Sequence, residues 1–296
     1  MITTIEELRR WSRQQHNARK RIGLIPTMGA LHDGHLSLVK TANQCCDAVL
    51  VSIFVNPTQF GVNEDFHHYP RPLENDLRLL QTTGSPEVFV PDITEMYPLG
   101  FEASVHIGGV SQPFEGEFRP NHFDGVATVV LKLFLASGAD IAFFGQKDFQ
   151  QVCVIRKMVT DLNVPVEIAV CPTIRESDGL AMSSRNRYLS ETQRSQAVVL
   201  SQSLRLAEKM IYSEKIRNAE TIRQKIKQKI RQEIRSKIET IPDMKIDYIA
   251  VADPETLHEL TTIRSNAVIL IAVRIGTTRL IDNVLITTTP ILKRKI

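Results

Sequence analysis

Short apolar runs alternate with helix-like segments along the first half of the chain. The runs are rich in Val, Ile or Phe and are bounded by Pro, Gly, Asn or Asp, which is typical of buried strands. They are residues 22–26, 48–55, 87–90, 140–144 and 166–170. Helical spacing occupies the intervals, at residues 35–44, 73–82, 126–136 and 149–162. Continuous apolar strands separated by helices predict a parallel sheet covered on both faces, which binds ligands at the carboxyl ends of its strands.

The pattern changes after residue 173. A polar, glycine-containing joint at 175–180 precedes a long helical region, 193–239, that contains neither Pro nor Gly. Isoleucines recur every fourth position and predict one apolar stripe on a helix. They are Ile222, Ile226, Ile230, Ile234 and Ile238. Strand-like runs follow at 246–252, 267–275 and 278–286, and Gly276-Thr277 joins the last two as a hairpin. The sequence therefore predicts an α/β domain followed by a smaller α+β domain.

Composition restricts the class of protein only mildly. The 296 residues carry a net charge of +3 and a pI near 8.6, which suits small anionic substrates such as ATP without indicating nucleic acid. Residues 205–237 hold eleven Lys or Arg and four Glu, an excess of 11 − 4 = +7. This basic stretch could contact RNA or a membrane. A solvated face is favoured, because no aromatic residues lie among the charges from Ser213 onward.

The amino-terminal residues predict a helix rather than a signal peptide. They lack the basic region and the apolar region that a signal peptide has. Thr4 and Glu7 form a capping-box pattern, which predicts the start of a helix. Apolar runs such as 48–55 are far shorter than the ~20 residues of a membrane span. The four cysteines contain no CxxC pair and predict reduced thiols. We expect a soluble, cytoplasmic protein with neither nucleic-acid nor membrane partners.

The motif Pro-Thr-Met-Gly-Ala-Leu-His-Asp-Gly-His at 26–35 lies between the first strand and a helix. Gly29 and Gly34 let the backbone approach phosphates, and a helix start offers N–H groups and a positive dipole end. His32 and His35 are three positions apart, so both can face one ligand and donate a proton or a hydrogen bond to a phosphate. This arrangement is typical of nucleotidyl-transferring α/β enzymes, which attack the α-phosphate of ATP.

A second motif, Gly-Gln-Lys-Asp-Phe-Gln-Gln at 145–151, follows the strand at 140–144. Lys147 offers a compact positive charge for a phosphate. Asp148 could cap the next helix or bind ribose hydroxyls. Because the segment 145–151 lies at the end of a strand, we include it in the predicted nucleotide site.

A third motif, Met-Ser-Ser-Arg-Asn at 182–186, lies just beyond the polar joint. Two hydroxyls and a guanidinium suit polyphosphate binding, and a helix-cap role for the serines is an equal alternative. A basic loop after a nucleotide domain resembles the signature loop of class I aminoacyl-tRNA synthetases, whose superfamily shares the His-x-Gly-His motif. The segment is therefore a candidate lid.

Two further segments could hold an acid substrate. Residues 56–61 follow the second strand, and residues 119–123 precede a helix. Gln59 and Gln151 could hydrogen-bond a hydroxy-carboxylate, and Arg119 could pair with a carboxylate. Loop glutamines are usually solvated, so the case for these residues depends on family resemblance.

Six segments together resemble the pantothenate synthetase (pantoate–β-alanine ligase) family in order and spacing. They are 26–35, 56–61, 69–71, 119–123, 145–151 and 178–186. The resemblance implies a Rossmann-like domain at 1–176 that binds ATP and pantoate, and a smaller α+β domain at 177–296 that acts as a lid and in dimerisation. It also implies a homodimer and the use of Mg²⁺. Two positions depart from the family, Gln146 in place of Glu and Pro72 in place of Thr.

The resemblance also assigns residues. The implied catalytic residues are His35 as proton donor, with His32, Lys147 and Arg185 offsetting phosphate charge. The implied ATP site comprises Met28, Gly29, Ala30, Leu31, His32, Asp33, Gly34, His35, Gly145, Gln146, Lys147, Asp148, Ile174, Met182, Ser183, Ser184 and Arg185. The implied pocket for pantoate and β-alanine comprises Gln59, Gln151, Asn56, Arg119, His122, Val129 and Val130. No metal ligand is assigned. Glu74 and Asp76 are candidates, although phosphate and water dominate the shell of Mg²⁺.

The resemblance implies the ATP-dependent condensation of (R)-pantoate with β-alanine through a pantoyl-adenylate, giving pantothenate, AMP and pyrophosphate. An adenylyltransferase that leaves AMP on its product is the alternative within the same superfamily. Two alternatives of other classes are a tRNA-binding protein that uses the basic helices and an inactive nucleotide-binding regulator.

Overall fold

The computed structural model describes residues 1–61, 64–236 and 244–287, without the side chains of 233–236. The chain divides into two compact units, Met1–Pro172 and Thr173–Ile296. In the part of the chain that the structure describes, no helix is both long enough and apolar enough to cross a bilayer.

The first unit opens with helix α1, whose capping box is the one predicted. The Thr4 side chain accepts from the Glu7 N–H, and the Glu7 side chain accepts from the Thr4 N–H. The elements of this unit are α1 Ile5–Asn17, β1 Ile22–Thr27, α2 Asp33–Cys45, β2 Ala48–Ile53, α3 Leu73–Gln81, β3 Glu87–Phe89, α4 Ile93–Met96, α5 Glu115–Phe118, α6 His122–Ser137, β4 Ile141–Gly145, α7 Phe149–Asp161 and β5 Glu167–Cys171. Every predicted strand and helix of this region is present, and the short helices α4 and α5 are additional.

The five strands form one parallel sheet in the order β3-β2-β1-β4-β5. Successive residues of β1 from Ile22 to Ile25 are all buried, so both faces of the central strand are covered. From β1 the chain runs outward through β2 and β3, and it then returns to place β4 on the other side of β1. The carboxyl ends of β1 and β4 therefore form the topological switch point at which such Rossmann-like sheets bind ligands.

Within its described residues, the second unit contains three α-helices and a three-stranded antiparallel sheet. Its elements are α8 Glu191–Ala197, α9 Val199–Tyr212, α10 Ala219–Ser236, β6 Met244–Ala252, β7 Ala267–Ile275 and β8 Thr278–Ile286. The hairpin between β7 and β8 is confirmed. Ile222, Ile226 and Ile230 are fully buried in the core of this unit, as the stripe predicts. The side chain of Ile234 and all of Ile238 lie outside the described residues.

The sequence predicted one long helical region at 193–239, whereas its described part, up to residue 236, is divided among the three helices α8, α9 and α10. The chain leaves α9 at Tyr212, and Lys215 adopts the left-handed conformation with φ of 58°. The Asn218 side chain then accepts from the Thr221 N–H at 2.8 Å and caps the start of α10. A helix can thus end without Pro or Gly when a polar cap begins the next one.

Candidate active site

The loop between β1 and α2 is fixed by hydrogen bonds to its main chain. Gly29 and Ala30 both adopt positive φ, at 78° and 50°. The N–H groups of Ala30 and Leu31 donate to the two carboxylate oxygens of Asp76, each at 2.8 Å. The Thr27 hydroxyl accepts from the Gly29 N–H at 3.2 Å. This segment, which the sequence predicts to bind ATP, is therefore a turn held by three hydrogen bonds to its main chain.

His32 is the N-cap of α2, and this role determines which tautomer its neutral ring adopts. Its Nδ1 accepts the Gly34 N–H at 3.1 Å, so the ring proton of neutral His32 is on Nε2. The His32 and His35 rings lie 4.1 Å apart, centroid to centroid. The two histidines that the motif predicted to face one ligand are thus adjacent.

His35 is neutral near pH 7. Burial, followed by the charge of His32, lowers the pKa of His35 to about 3. Its Nδ1 is enclosed and has no hydrogen-bond partner among the residues that the structure describes. His35 is therefore a neutral hydrogen-bond donor rather than an imidazolium acid.

The second motif faces the first. The carboxylate of Asp148 raises the pKa of His35 and the ammonium of Lys147 lowers it, so both charges act at the His35 ring. The Lys147 Nζ lies 3.4 Å from the Asp148 carboxylate. Asp148 holds the N-cap position of α7, but its side chain makes no capping hydrogen bond. Of its two predicted roles, capping is therefore not observed. Gly145 and Gln146 lead into this turn from the end of β4.

Gln59 links the predicted acid pocket to the loop between β1 and α2, which is called the nucleotide loop below. It is buried in a 3₁₀ turn, Pro57–Gln59. Its Oε1 accepts from the Asn56 Nδ2 at 3.1 Å, and its Nε2 lies 2.8 Å from the Met28 sulfur. The same Asn56 amide donates to the Gly125 carbonyl at 3.1 Å. The turn after β2 is therefore joined to both the β1 loop and α6.

Tyr97 belongs to this network, although nothing in the sequence marked it. Its hydroxyl donates to Asn56 Oδ1 at 2.7 Å and lies 3.2 Å from the Thr58 hydroxyl. Burial raises the pKa of the Tyr97 phenol, so it stays a hydroxyl donor. The sequence alone could not reveal this partner, because Tyr97 lies 41 positions from Asn56 and reaches it only in the folded chain.

Arg119 and His122 form a second network around Gln59. The Arg119 guanidinium pairs with the Glu64 carboxylate at 2.7 and 2.6 Å, whereas the sequence suggested a substrate carboxylate as its partner. Its Nη1 also donates to His122 Nε2 at 3.0 Å. The His122 Nδ1–H donates to the Gln59 carbonyl at 2.7 Å. Burial, with the nearby Arg119 charge, lowers the pKa of His122 to about 4.

The remaining pocket candidates of the first unit lie on helices. Val129 and Val130 are buried within α6, and Gln151 is partly buried on α7. The neighbouring Gln150 is a structural residue. Its Nε2 donates to the carbonyls of Val110 and Pro113, and its Oε1 accepts the Glu115 N–H at 3.1 Å.

The third motif is anchored inside the second unit. The Met182 N–H donates to the Ile174 carbonyl at 3.0 Å, and the Ser183 hydroxyl accepts from the Arg185 N–H at 3.3 Å. Ser183 thus caps the 3₁₀ helix Ser184–Tyr188, as the helix-cap alternative predicted. Asn186 donates to the Glu176 carboxylate at 2.7 Å. Polyphosphate binding by this segment stays a prediction.

Among the residues described, no group of three or more His, Cys, Asp or Glu could hold a metal ion. Of the two candidates, Glu74 is exposed and Asp76 accepts main-chain N–H groups. The geometry of the described residues therefore offers no preformed protein cage for Mg²⁺.

A doubly wound parallel sheet with adjacent histidines and a lysine at its switch point defines a nucleotide-using α/β enzyme. The sequence profile of a family described as pantoate-β-alanine ligase matches residues 1–285. The chain is 52% identical over 287 residues to the pantothenate synthetase of Thermoanaerobacter sp. (strain X514), covering 96% of this chain and 98% of the relative. It is 49% identical over 287 residues to that of Rhodopirellula baltica (strain DSM 10527 / NCIMB 13988 / SH1), covering 95% and 97%.

Solved structures agree. Pantothenate synthetase from Thermus thermophilus superposes with a TM-score of 0.85 at 43% identity, covering 96% of this chain and 98% of that one. Pantoate-β-alanine ligase from Francisella tularensis, complexed with β,γ ATP and β-alanine, gives a TM-score of 0.77 at 34% identity, with 96% and 97% coverage. The chain belongs to the pantoate–β-alanine ligase family. The predicted fold class and enzyme class, a ligase of pantothenate biosynthesis, are confirmed.

Proposed function

We propose that this chain condenses (R)-pantoate with β-alanine, using ATP to form a pantoyl-adenylate, and releases AMP and pyrophosphate. The observation that carries the proposal is the contact of Gln59 with Met28. It joins the acid-pocket candidates to the His-x-Gly-His loop at the carboxyl end of the sheet. An acid held near Gln59 would lie beside the phosphates of ATP held by that loop.

In the first step, the pantoate carboxylate attacks the α-phosphorus of ATP and pyrophosphate leaves. Negative charge grows on the phosphate oxygens, and donors already aimed at them lower the barrier. His32 offers its Nε2–H, and Lys147 offers an ammonium. His35, neutral because of its low pKa, offers an N–H rather than a mobile proton until the phosphates of ATP raise its pKa.

In the second step, the neutral amine of β-alanine attacks the mixed anhydride and AMP departs. The adenylate must be shielded from water at this stage, because hydrolysis would compete with the amine. Gln59 and Gln151 are our candidates for the pantoate anchors, and Gln59 is also our candidate neighbour of β-alanine. Val129, Val130 and His122 are proposed to line the pocket. Because Arg119 pairs with Glu64, it can bind a substrate carboxylate only by sharing or exchanging that partner.

Several roles rest on family membership alone. Ile174 and Met182 to Arg185, in the second unit, are proposed to complete the ATP site, and residues 177–296 are proposed to act as the lid and in dimerisation. We propose a cytoplasmic homodimer. Mg²⁺ is proposed to arrive with ATP, held mainly by phosphate and water, since the described residues form no cluster of protein ligands.

The test is ATP–pyrophosphate exchange on the purified chain. Exchange should occur with pantoate alone and should be absent with β-alanine alone, because an acid must be activated before an amine can attack. Net AMP release should then require β-alanine. Exchange that needs both substrates together would exclude a free adenylate. AMP release that ignores β-alanine, or a product that keeps AMP, would instead indicate an adenylyltransferase.

A further inference from the structure

Asp76 is a buried carboxylate aimed at the main chain of the nucleotide loop. It lies on α3 with 1% of its surface exposed. Its Oδ2 accepts from the Ala30 N–H and its Oδ1 from the Leu31 N–H, both at 2.8 Å. Hydrogen bonds to an ionised acceptor at such distances are the strong ones in proteins. The carboxylate therefore fixes two successive peptide groups of the loop.

The loop has a shape that needs an external tether. Gly29 and Ala30 have positive φ of 78° and 50°, and a non-glycine residue in the left-handed region is held there only by its surroundings. Successive N–H groups near such a turn form a concavity that attracts an anion. In this chain the anion is the Asp76 side chain, so a phosphate does not need to fill that concavity.

Gly29 also makes room for the tether. A Cβ placed on Gly29 would lie 3.0 Å from Asp76 Oδ2 and 3.0 Å from a methyl carbon of Ile53. Glycine thus provides both the backbone angle and the space for the approaching carboxylate. This gives the loop glycine a role beyond contact with phosphate.

We propose that Asp76 is a positioning residue for the adenylation step, acting through the loop rather than on the reacting atoms. By holding Ala30 and Leu31, it places His32 at the N-cap of α2, where its ring lies beside that of His35. The inference rests on the proposed function, because the loop matters to catalysis only if ATP binds there. It differs from the magnesium contact that the sequence suggested for Asp76.

The chemistry requires a carboxylate at this position. An asparagine has only one acceptor oxygen, so its NH₂ group would face a main-chain N–H and leave that donor unpaired. A buried donor without a partner costs the equivalent of roughly 10-fold to 100-fold in an equilibrium. Since the loss falls on the loop, it should weaken the use of ATP and spare the pocket around Gln59.

The experiment compares Asp76→Asn with Asp161→Asn, which makes the same side-chain change at an exposed position at the end of α7. Calorimetry with a non-hydrolysable ATP analogue and pyrophosphate exchange with each substrate varied are measured on folded protein. For Asp76→Asn we expect kcat/KM for ATP to fall roughly 10-fold to 100-fold, with the pantoate KM within about twofold of wild type. Asp161→Asn should match wild type.

Several outcomes would overturn the assignment. Equal losses for ATP and pantoate would mean a general structural role, and unchanged kinetics would mean no role. Recovery of Asp76→Asn at high Mg²⁺ would mean a metal ligand. If Asp76→Asn does not fold, Thr27→Val removes the loop's tether at Gly29 and must show the same ATP-selective defect. Wild-type protein that binds the analogue without exchange would refute the proposed function alone, since calorimetry still tests Asp76.

Discussion

Gln59 owes its orientation to hydrogen bonds that begin at Tyr97. The Tyr97 hydroxyl and the Thr58 hydroxyl both engage Asn56 Oδ1, so that oxygen is the acceptor and Asn56 Nδ2 must be the donor. Nδ2 in turn meets Gln59 Oε1, which leaves Gln59 Nε2 directed toward Met28. Gln59 therefore presents a donor to the site, which suits a carboxylate or carbonyl oxygen of the acid substrate.

Removing the Tyr97 hydroxyl should disturb this orientation. We expect Tyr97→Phe to raise the pantoate KM by about 3-fold to 10-fold, the cost of one net hydrogen bond, while the ATP KM changes little. Initial rates with each substrate varied provide the measurement. The control is Tyr212→Phe, which removes a hydroxyl that bonds Thr287 in the second unit. A larger effect on ATP than on pantoate would show that the orientation argument is wrong.

At the scale of elements, α6 supports the turn Pro57–Gln59 of the proposed acid pocket by backbone contact. Asn56 Nδ2 donates to the Gly125 carbonyl. A Cβ on Gly125 would lie 2.4 Å from the Thr58 carbonyl oxygen, far inside van der Waals contact. The close approach of α6 and the turn Pro57–Gln59 is thus possible only because position 125 has no side chain. Helix α6 and the turn therefore support Gln59 together.

Gly125→Ala should therefore displace the turn. The extra methyl would gain helix propensity of about 1 kcal/mol, yet overpacking against backbone costs about 1–3 kcal/mol. We expect a lower Tm together with a pantoate KM raised at least several-fold. Leu135→Ala, an exposed position on the same helix, should leave both unchanged. A stabilised variant with a normal pantoate KM would contradict the tight contact.

The sequence predicted the elements whose formation is determined by the residues within them. Apolar runs bounded by Pro, Gly, Asn or Asp predicted all five parallel strands, and the isoleucine stripe predicted the buried face of α10. The end of α9 and the four-residue helices α4 and α5 were not predictable, because tertiary contacts and a single cap decide them. The motifs likewise located the histidines and Lys147. The partners Glu64, Tyr97 and the tethering role of Asp76 arise only from folding distant segments together.

For the whole molecule, two buried neutral histidines link stability to pH. The pKa of His35 is lowered to about 3 and that of His122 to about 4, from an ordinary 6.5, chiefly by burial. Well above pH 6.5 both are neutral whether the chain is folded or unfolded, and neither affects stability. Below it the unfolded chain binds these protons while the folded chain does not. Stability is therefore lost as pH falls from 6.5 toward 4 and 3.

We expect the free energy of unfolding to decrease between pH 6 and pH 4.5, with each histidine contributing up to about 1.4 kcal/mol per pH unit. Urea unfolding at several pH values measures the slope. His122→Gln should reduce this slope by up to about 1.4 kcal/mol per pH unit, the contribution of one proton, because glutamine has no site to protonate. Its amide still provides a donor for the Gln59 carbonyl. His106→Gln, at an exposed histidine, is the matched control. A slope that His122→Gln leaves unchanged would mean that His122 protonates in the folded state while keeping its place between Arg119 and Gln59.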